Sequence, residues 1–94
     1  MLTFNAQIRN NKGKSSNRRL RIINKFPAII YGNKKPSISI ELWHDPVKNI
    51  EIKSEFYNEI IFLIIENKKI KVKIQAIQRH PFKEKITHID FIYI

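Results

Sequence analysis

Apolar and polar residues alternate strictly from Leu2 to Arg9. Leu2, Phe4, Ala6 and Ile8 fall on one side; Thr3, Asn5, Gln7 and Arg9 fall on the other. A period of two is the signature of a half-buried strand. Ala28 to Gly32 is a short apolar strand running into the turn residues Gly32 to Pro36. Ser37 to Leu42 alternates again and should pair with it. Ile60 to Ile65 has no polar position, which predicts a strand covered on both faces, followed by a turn at Asn67-Lys68. Ile70, Val72, Ile74 and Ala76 then point inward, with Lys71, Lys73, Gln75 and Arg79 outward. Pro81 ends that run. In the last stretch, Ile86 to Tyr93, Ile89, Phe91 and Tyr93 share one face and His88 and Asp90 the other.

Two segments depart from the alternation. Ser15 or Ser16 can cap a helix through its hydroxyl, and the helix would reach about Asn24, short of Pro27. Leu20 and Ile23 would form its buried edge; Arg18, Arg21 and Lys25, three and four apart, its charged face. His44-Asp45-Pro46 starts a second helix, with Asp45 as cap and Pro46 in the first helical position, extending to about Ile52. Phe56 and Tyr57 fall in an irregular link. The pattern predicts a mainly β (α+β) domain spanning 1–94, with two to three short helices. A six-stranded antiparallel β-barrel is the expected architecture, because closure removes exposed strand edges.

Composition narrows the function classes. With 94 residues and a 43% hydrophobic fraction, the chain can pack one core of modest size. There is no cysteine, which excludes disulfides and thiolate metal sites and fits a cytoplasmic location. No apolar run approaches the roughly 20 residues of a membrane span, and the N-terminal stretch lacks the layout of a signal peptide.

Charge changes the picture more. The first forty residues contain no Asp or Glu but carry Arg9, Lys12, Lys14, Arg18, Arg19, Arg21, Lys25, Lys34 and Lys35. The remainder is close to neutral, so almost all of the net charge of +10 sits in one segment. Such concentration is self-repelling in a compact fold. A polyanion relieves it, and nucleic acid is the commonest candidate.

Gly13-Lys14-Ser15-Ser16-Asn17-Arg18-Arg19-Leu20-Arg21 places a glycine-containing basic loop directly before a helix with three arginines. No carboxylate occupies its first turn, so the N-terminal amides stay available to an external anion. The planar arginine fork suits phosphate and guanine edges; the bland alternative is a solvated basic face. Gly13-Lys14-Ser15 is not the end of a phosphate-binding Walker loop, because Ile8 stands where that motif needs glycine. Gln75, Arg79, His88 and Asp90 mix donors and acceptors on exposed strand faces, which lysine alone cannot do, and such groups can read base edges. Tyr31 can stack on a base or ribose. Catalysis has little support: His44, His80 and His88 are scattered, no carboxylate pair has catalytic or metal-ligand spacing, and no Ser has a plausible base. No cofactor is implied. A peripheral membrane protein using its basic helix is the alternative from another class.

Several runs resemble a known family. Arg18-Arg19-Leu20-Arg21, Asn24-Lys25-Phe26-Pro27-Ala28-Ile29-Ile30-Tyr31-Gly32, Glu55-Phe56-Tyr57, Gln78-Arg79-His80-Pro81 and His88-Ile89-Asp90-Phe91 are similar to those of the L-twenty-five (CTC) family. This is the bacterial large-subunit ribosomal protein that binds 5S ribosomal RNA, here in its short single-domain form. The resemblance implies a six-stranded barrel, binding to the loop E region of 5S rRNA within the 50S subunit, neighbouring ribosomal proteins as further partners, a monomer when free, and no membrane. Carried over by position, Arg9, Lys14, Asn17, Arg18, Arg19, Arg21 and Tyr31 form one part of the contact surface, and Gln75, Arg79, His88 and Asp90 the other. Ser15, Ser16 and Asn17 depart from the family's Gly, Ala and Ser; Asn17 keeps the ability to donate and accept.

Overall fold

The computed structural model describes residues 2–9, 18–20, 22–51 and 59–94. Six strands follow the alternation: β1 (Leu2–Ile8), β2 (Lys25–Tyr31), β3 (Ile38–Trp43), β4 (Ile61–Ile65), β5 (Lys68–Arg79) and β6 (Ile86–Tyr93). They close into a barrel in the order β1-β3-β2-β6-β5-β4. Closure and strand count match the expectation. Strand direction does not: β1 runs parallel to β4, and β2 parallel to β6, so the barrel is mixed rather than antiparallel. Only the β2–β3, β4–β5 and β5–β6 pairs join chain neighbours, and these are antiparallel.

The inward positions make one core. Phe26, Ala28 and Ile30 of β2 meet Ile40 and Leu42 of β3, Ile61 and Leu63 of β4, Val72 of β5, and Ile89 and Phe91 of β6, all nearly inaccessible to solvent. Each large side chain so buried contributes about 1.5–3 kcal/mol of hydrophobic free energy. The helix His44–Glu51 lays Val47 and Ile50 against this core. It begins at His44, so Asp45 lies inside the first turn instead of capping it.

Tight turns hold two of the hairpins. Asn33 and Lys34 both have positive φ, and the Lys35 amide donates to the Gly32 carbonyl at 3.1 Å. Glu66 and Asn67 likewise have positive φ between the paired residues Ile65 and Lys68. Both turns have the twist that suits two-residue hairpin loops. The second lies one residue earlier than the spacing predicts. Gly32 itself has φ +99°, and a Cβ there would lie 2.7 Å from Ile92 Cγ1. Only glycine fits.

Strand β5 breaks its own alternation. A register shift falls between Ile74 and Ala76, and Gln75 has no partner across the ladder. Beyond it Ala76 faces solvent and Ile77 turns inward opposite Ile89. Ala76 is therefore not a core residue. A bulge inserts one residue and resets which face each later side chain takes. In β4 the apolar outer position Phe62 is half-buried, with the Lys69 and Lys71 ammonium groups each 5.9 Å from its ring centre. Lysine stems can cover such a ring while their charged ends stay in water.

Candidate nucleic-acid interface

Register decides which polar side chains share a wall. Gln78 pairs with His88, Ala76 with Asp90, Asp90 with Ile29, and Ile29 with Ser39. The Arg9 amide donates to the Ser39 carbonyl at 2.9 Å, which extends the β1–β3 ladder by one residue. Side chains directly opposite across a ladder point to the same face. One row on the outer wall therefore runs from Ala76 through Asp90, Ile29 and Ser39 to Arg9. A second row starts at Gln78 and His88. Tyr31, half-buried, stands opposite Ile92 on the same wall. Gln75, exposed on the bulge, projects beside Ala76 and Asp90. Arg79 is exposed at the end of β5, opposite Ile86. Five residues predicted from sequence, Arg9, Tyr31, Gln75, His88 and Asp90, thus come together on one wall; Arg79 does not join them, because beyond the bulge it pairs with the buried Ile86 and takes that residue's side of the sheet.

His88 and Asp90 act as a pair. Nδ1 of His88 lies 3.1 Å from Oδ1 of Asp90, each side chain about one-third exposed. Nδ1 is itself covered and off-line for a hydrogen bond to the carboxylate. That leaves Nε2 as the ring nitrogen an outside partner can reach, beside a carboxylate able to accept from hydroxyl or amine groups. Gln78 was not singled out from sequence. Its signal was available only through register, which sets it directly opposite His88.

The basic helix flanks this wall. Residues 18–20 and 22 are helical, and the Ile23 amide bonds the Arg19 carbonyl at 3.2 Å. Asn24, at φ +63°, ends the helix in the left-handed conformation that favours asparagine after glycine. Arg18 and Arg19 are exposed. Leu20 is buried as expected, but Ile23 is not: it is 45% exposed, and Ile22 is 78% exposed. Only one residue of the predicted edge is used. Lys25 opens β2 instead of completing the helical charge face. Its Nζ donates to Gln7 Oε1 at 2.9 Å and Glu41 Oε2 at 3.0 Å, and it sits 4.5 Å from the Trp43 ring centre. Its charge is locally neutralised. Lys14, Asn17 and Arg21, the Ser15–Ser16 cap, and the link with Phe56 and Tyr57 lie outside the described residues.

A buried histidine positions the helix against the barrel. His44 accepts the Ile86 amide on Nε2 at 3.0 Å and sets Nδ1 3.1 Å from Asp45 Oδ1. Its own amide donates to the Asn24 carbonyl at 2.8 Å, and its ring meets Phe26 edge-on at 6.1 Å. The acceptor role of Nε2 puts the ring proton on Nδ1, facing the carboxylate. Hydrogen bonds from His44 and then Asn24 hold the Asp45 carboxyl below its ordinary value, with smaller help from the Lys85 charge. Sequence showed His44 only as a helix start. Its structural role depends on an amide 42 positions away.

A closed barrel with a mixed donor and acceptor wall, flanked by an arginine-bearing helix, has the layout of a binding module. No cluster of three metal-holding side chains occurs among the described residues. The chain belongs to the Ribosomal L25p family, whose model matches residues 4–91. It is 58% identical over 91 residues to the large ribosomal subunit protein bL25 of Serratia proteamaculans (strain 568), covering 97% of each chain. It is 53% identical over 94 residues to the protein of that name from Yersinia pestis (strain Pestoides F), covering all of both. The chain is thus a bacterial ribosomal protein with a structural, non-enzymatic role, ribosome-associated in the cytoplasm.

Proposed function

We propose that this protein is a structural component of the large ribosomal subunit that binds 5S rRNA at its loop E region. Residues 1–94 act as one binding unit, monomeric when free. Arginine and lysine side chains around the basic helix hold phosphates. The outer wall with Gln75, Gln78, His88 and Asp90 supplies selectivity for an irregular duplex. A-form RNA exposes base edges and 2′-hydroxyls in its shallow minor groove, and these need both donors and acceptors. The observation that supports the reading most is the register placing Arg9, Tyr31, Gln75, His88 and Asp90 on one barrel wall.

The test is binding of purified protein to 5S rRNA across a salt series, beside a regular RNA duplex and anionic liposomes. Preferential, salt-sensitive binding to 5S rRNA, with protection of loop E in chemical footprinting, is expected. Equal binding to the plain duplex, or preference for the liposomes, would reject the reading.

A further inference from the structure

Between β5 and β6 the chain makes a loop, residues 80–85, that is closed by its own hydrogen bonds. The His80 amide donates to the Lys85 carbonyl at 2.9 Å, and the Lys85 amide to the Lys83 carbonyl at 2.7 Å. The Phe82 and Lys83 amides both donate to His80 Nδ1 at 3.1 Å. With Nδ1 accepting twice, the ring proton sits on Nε2, which becomes a donor. This loop holds Phe82 out in solvent, 93% exposed, with the His80 ring edge-on at 6.3 Å. An aromatic ring left in water forgoes about 2 kcal/mol of burial free energy.

Beneath the loop lies a cleft of about 270 Å³. Arg18 of the basic helix, Lys83 and Lys85 of the loop, and His80 line it, together with the first residues of β6. Lys25 also lines it, but Glu41 neutralises that charge. No carboxylate is among the described residues that line it. Glu84 is exposed in the loop, and Asp45 nearby is already engaged by His44 and Asn24. The floor of the cleft, Ile86 and Thr87, leads directly into His88 along the same strand.

We infer that this cleft and its loop form a second RNA-contact site: Arg18, Lys83 and Lys85 seat a backbone phosphate, His80 donates from Nε2, and Phe82 stacks on an unpaired base. Cations converging on an acid-free cleft favour an anion, and an aromatic ring flanked by them favours a nucleic acid. The inference rests on the RNA-binding reading above and extends the contact surface around the end of the barrel.

The test uses the full chain and 5S rRNA. Lys83→Gln/Lys85→Gln should lower the log–log salt slope by about one to two units. Phe82→Ala should weaken binding about tenfold without altering that slope, and Phe82→Trp should restore it. Thermal melting of each variant, unchanged because the residues are exposed, separates contact from folding. If the wild-type protein binds 5S rRNA and all these variants bind it equally well with the same slope, the second site is refuted while the function stands. If Phe82→Ala binds free 5S rRNA normally but is lost from assembled large subunits, the loop faces a protein neighbour and the inference is wrong. Failure of the wild-type protein to bind would overturn both proposals.

Discussion

The amide of Ile86 donates to Nε2 of His44 at 3.0 Å, joining the start of the last strand to the start of the helix His44–Glu51. Through its other contacts the same histidine also touches Asn24, Asp45 and Phe26. The ring ties the start of the strand that carries His88 and Asp90 to the helix His44–Glu51, while the His44 backbone amide holds the end of the basic helix at Asn24. Replacing the histidine by alanine leaves a buried amide without an acceptor, worth about 1–3 kcal/mol, and removes the edge contact to Phe26. His44→Ala should lower stability by about 2–4 kcal/mol, measured by urea denaturation. A loss within 0.5 kcal/mol would mean that water replaces the ring.

Acid should loosen the same junction. The Asp45 carboxyl is held below its ordinary value of 3.8 chiefly by the His44 hydrogen bond, then by Asn24. A depressed folded value stabilises the fold at pH above the ordinary value, and that contribution disappears as pH falls through the lowered one. Asp45→Asn should therefore reduce the acid sensitivity of unfolding between neutral pH and pH values below 3.8. Parallel stability–pH curves for the two proteins would contradict this.

Gly32 is held at φ +99° against Ile92. Gly32→Ala should destabilise by about 1–3 kcal/mol through strain alone, and the 2.7 Å approach to Ile92 Cγ1 adds to it. Thermal melting reads the effect. A stabilised variant, as entropy alone would give, would show that the turn relaxes.

On the outer wall, charge and shape should separate. Arg18→Ala should lower the log–log salt slope of 5S rRNA binding by about one unit. Gln78→Ala and His88→Ala should leave that slope unchanged and instead reduce discrimination between loop E and regular duplex RNA. Loss of affinity in equal measure on both RNAs would assign these two side chains to general adhesion.

The strands were legible because alternation is local: Leu2 to Arg9 and Ser37 to Leu42 show their faces residue by residue. Strand direction was not, because the parallel pairs β1–β4 and β2–β6 join segments far apart in the chain, and no local period records a partner. The bulge at Gln75 also escaped. One inserted residue turns Ala76 outward and Ile77 inward, and nothing in the run Ile74-Gln75-Ala76-Ile77 marks where the ladder slips. Much of the candidate wall was nevertheless predictable, since His88 and Asp90 lie in the regularly alternating part of β6, beyond the shift that skips Thr87. Gln78 was missed because its meaning comes from the residue opposite. The basic helix was half right: Leu20 is buried, but Ile22 and Ile23 are exposed, because the chain leaves the helix at Asn24 and turns into β2.

The pairing of residues 2–5 with 61–64 sets an order on synthesis. The first strand to emerge cannot complete its hydrogen bonds until two-thirds of the polypeptide has followed it. Such late, long-range closure slows folding, and until it happens the arginine-rich segment is tethered to an unfinished sheet. A nascent chain of this protein should therefore gain its full grip on a polyanion only at the end of synthesis, when β5 and β6 arrive, close the barrel and bring in Gln75, His88 and Asp90.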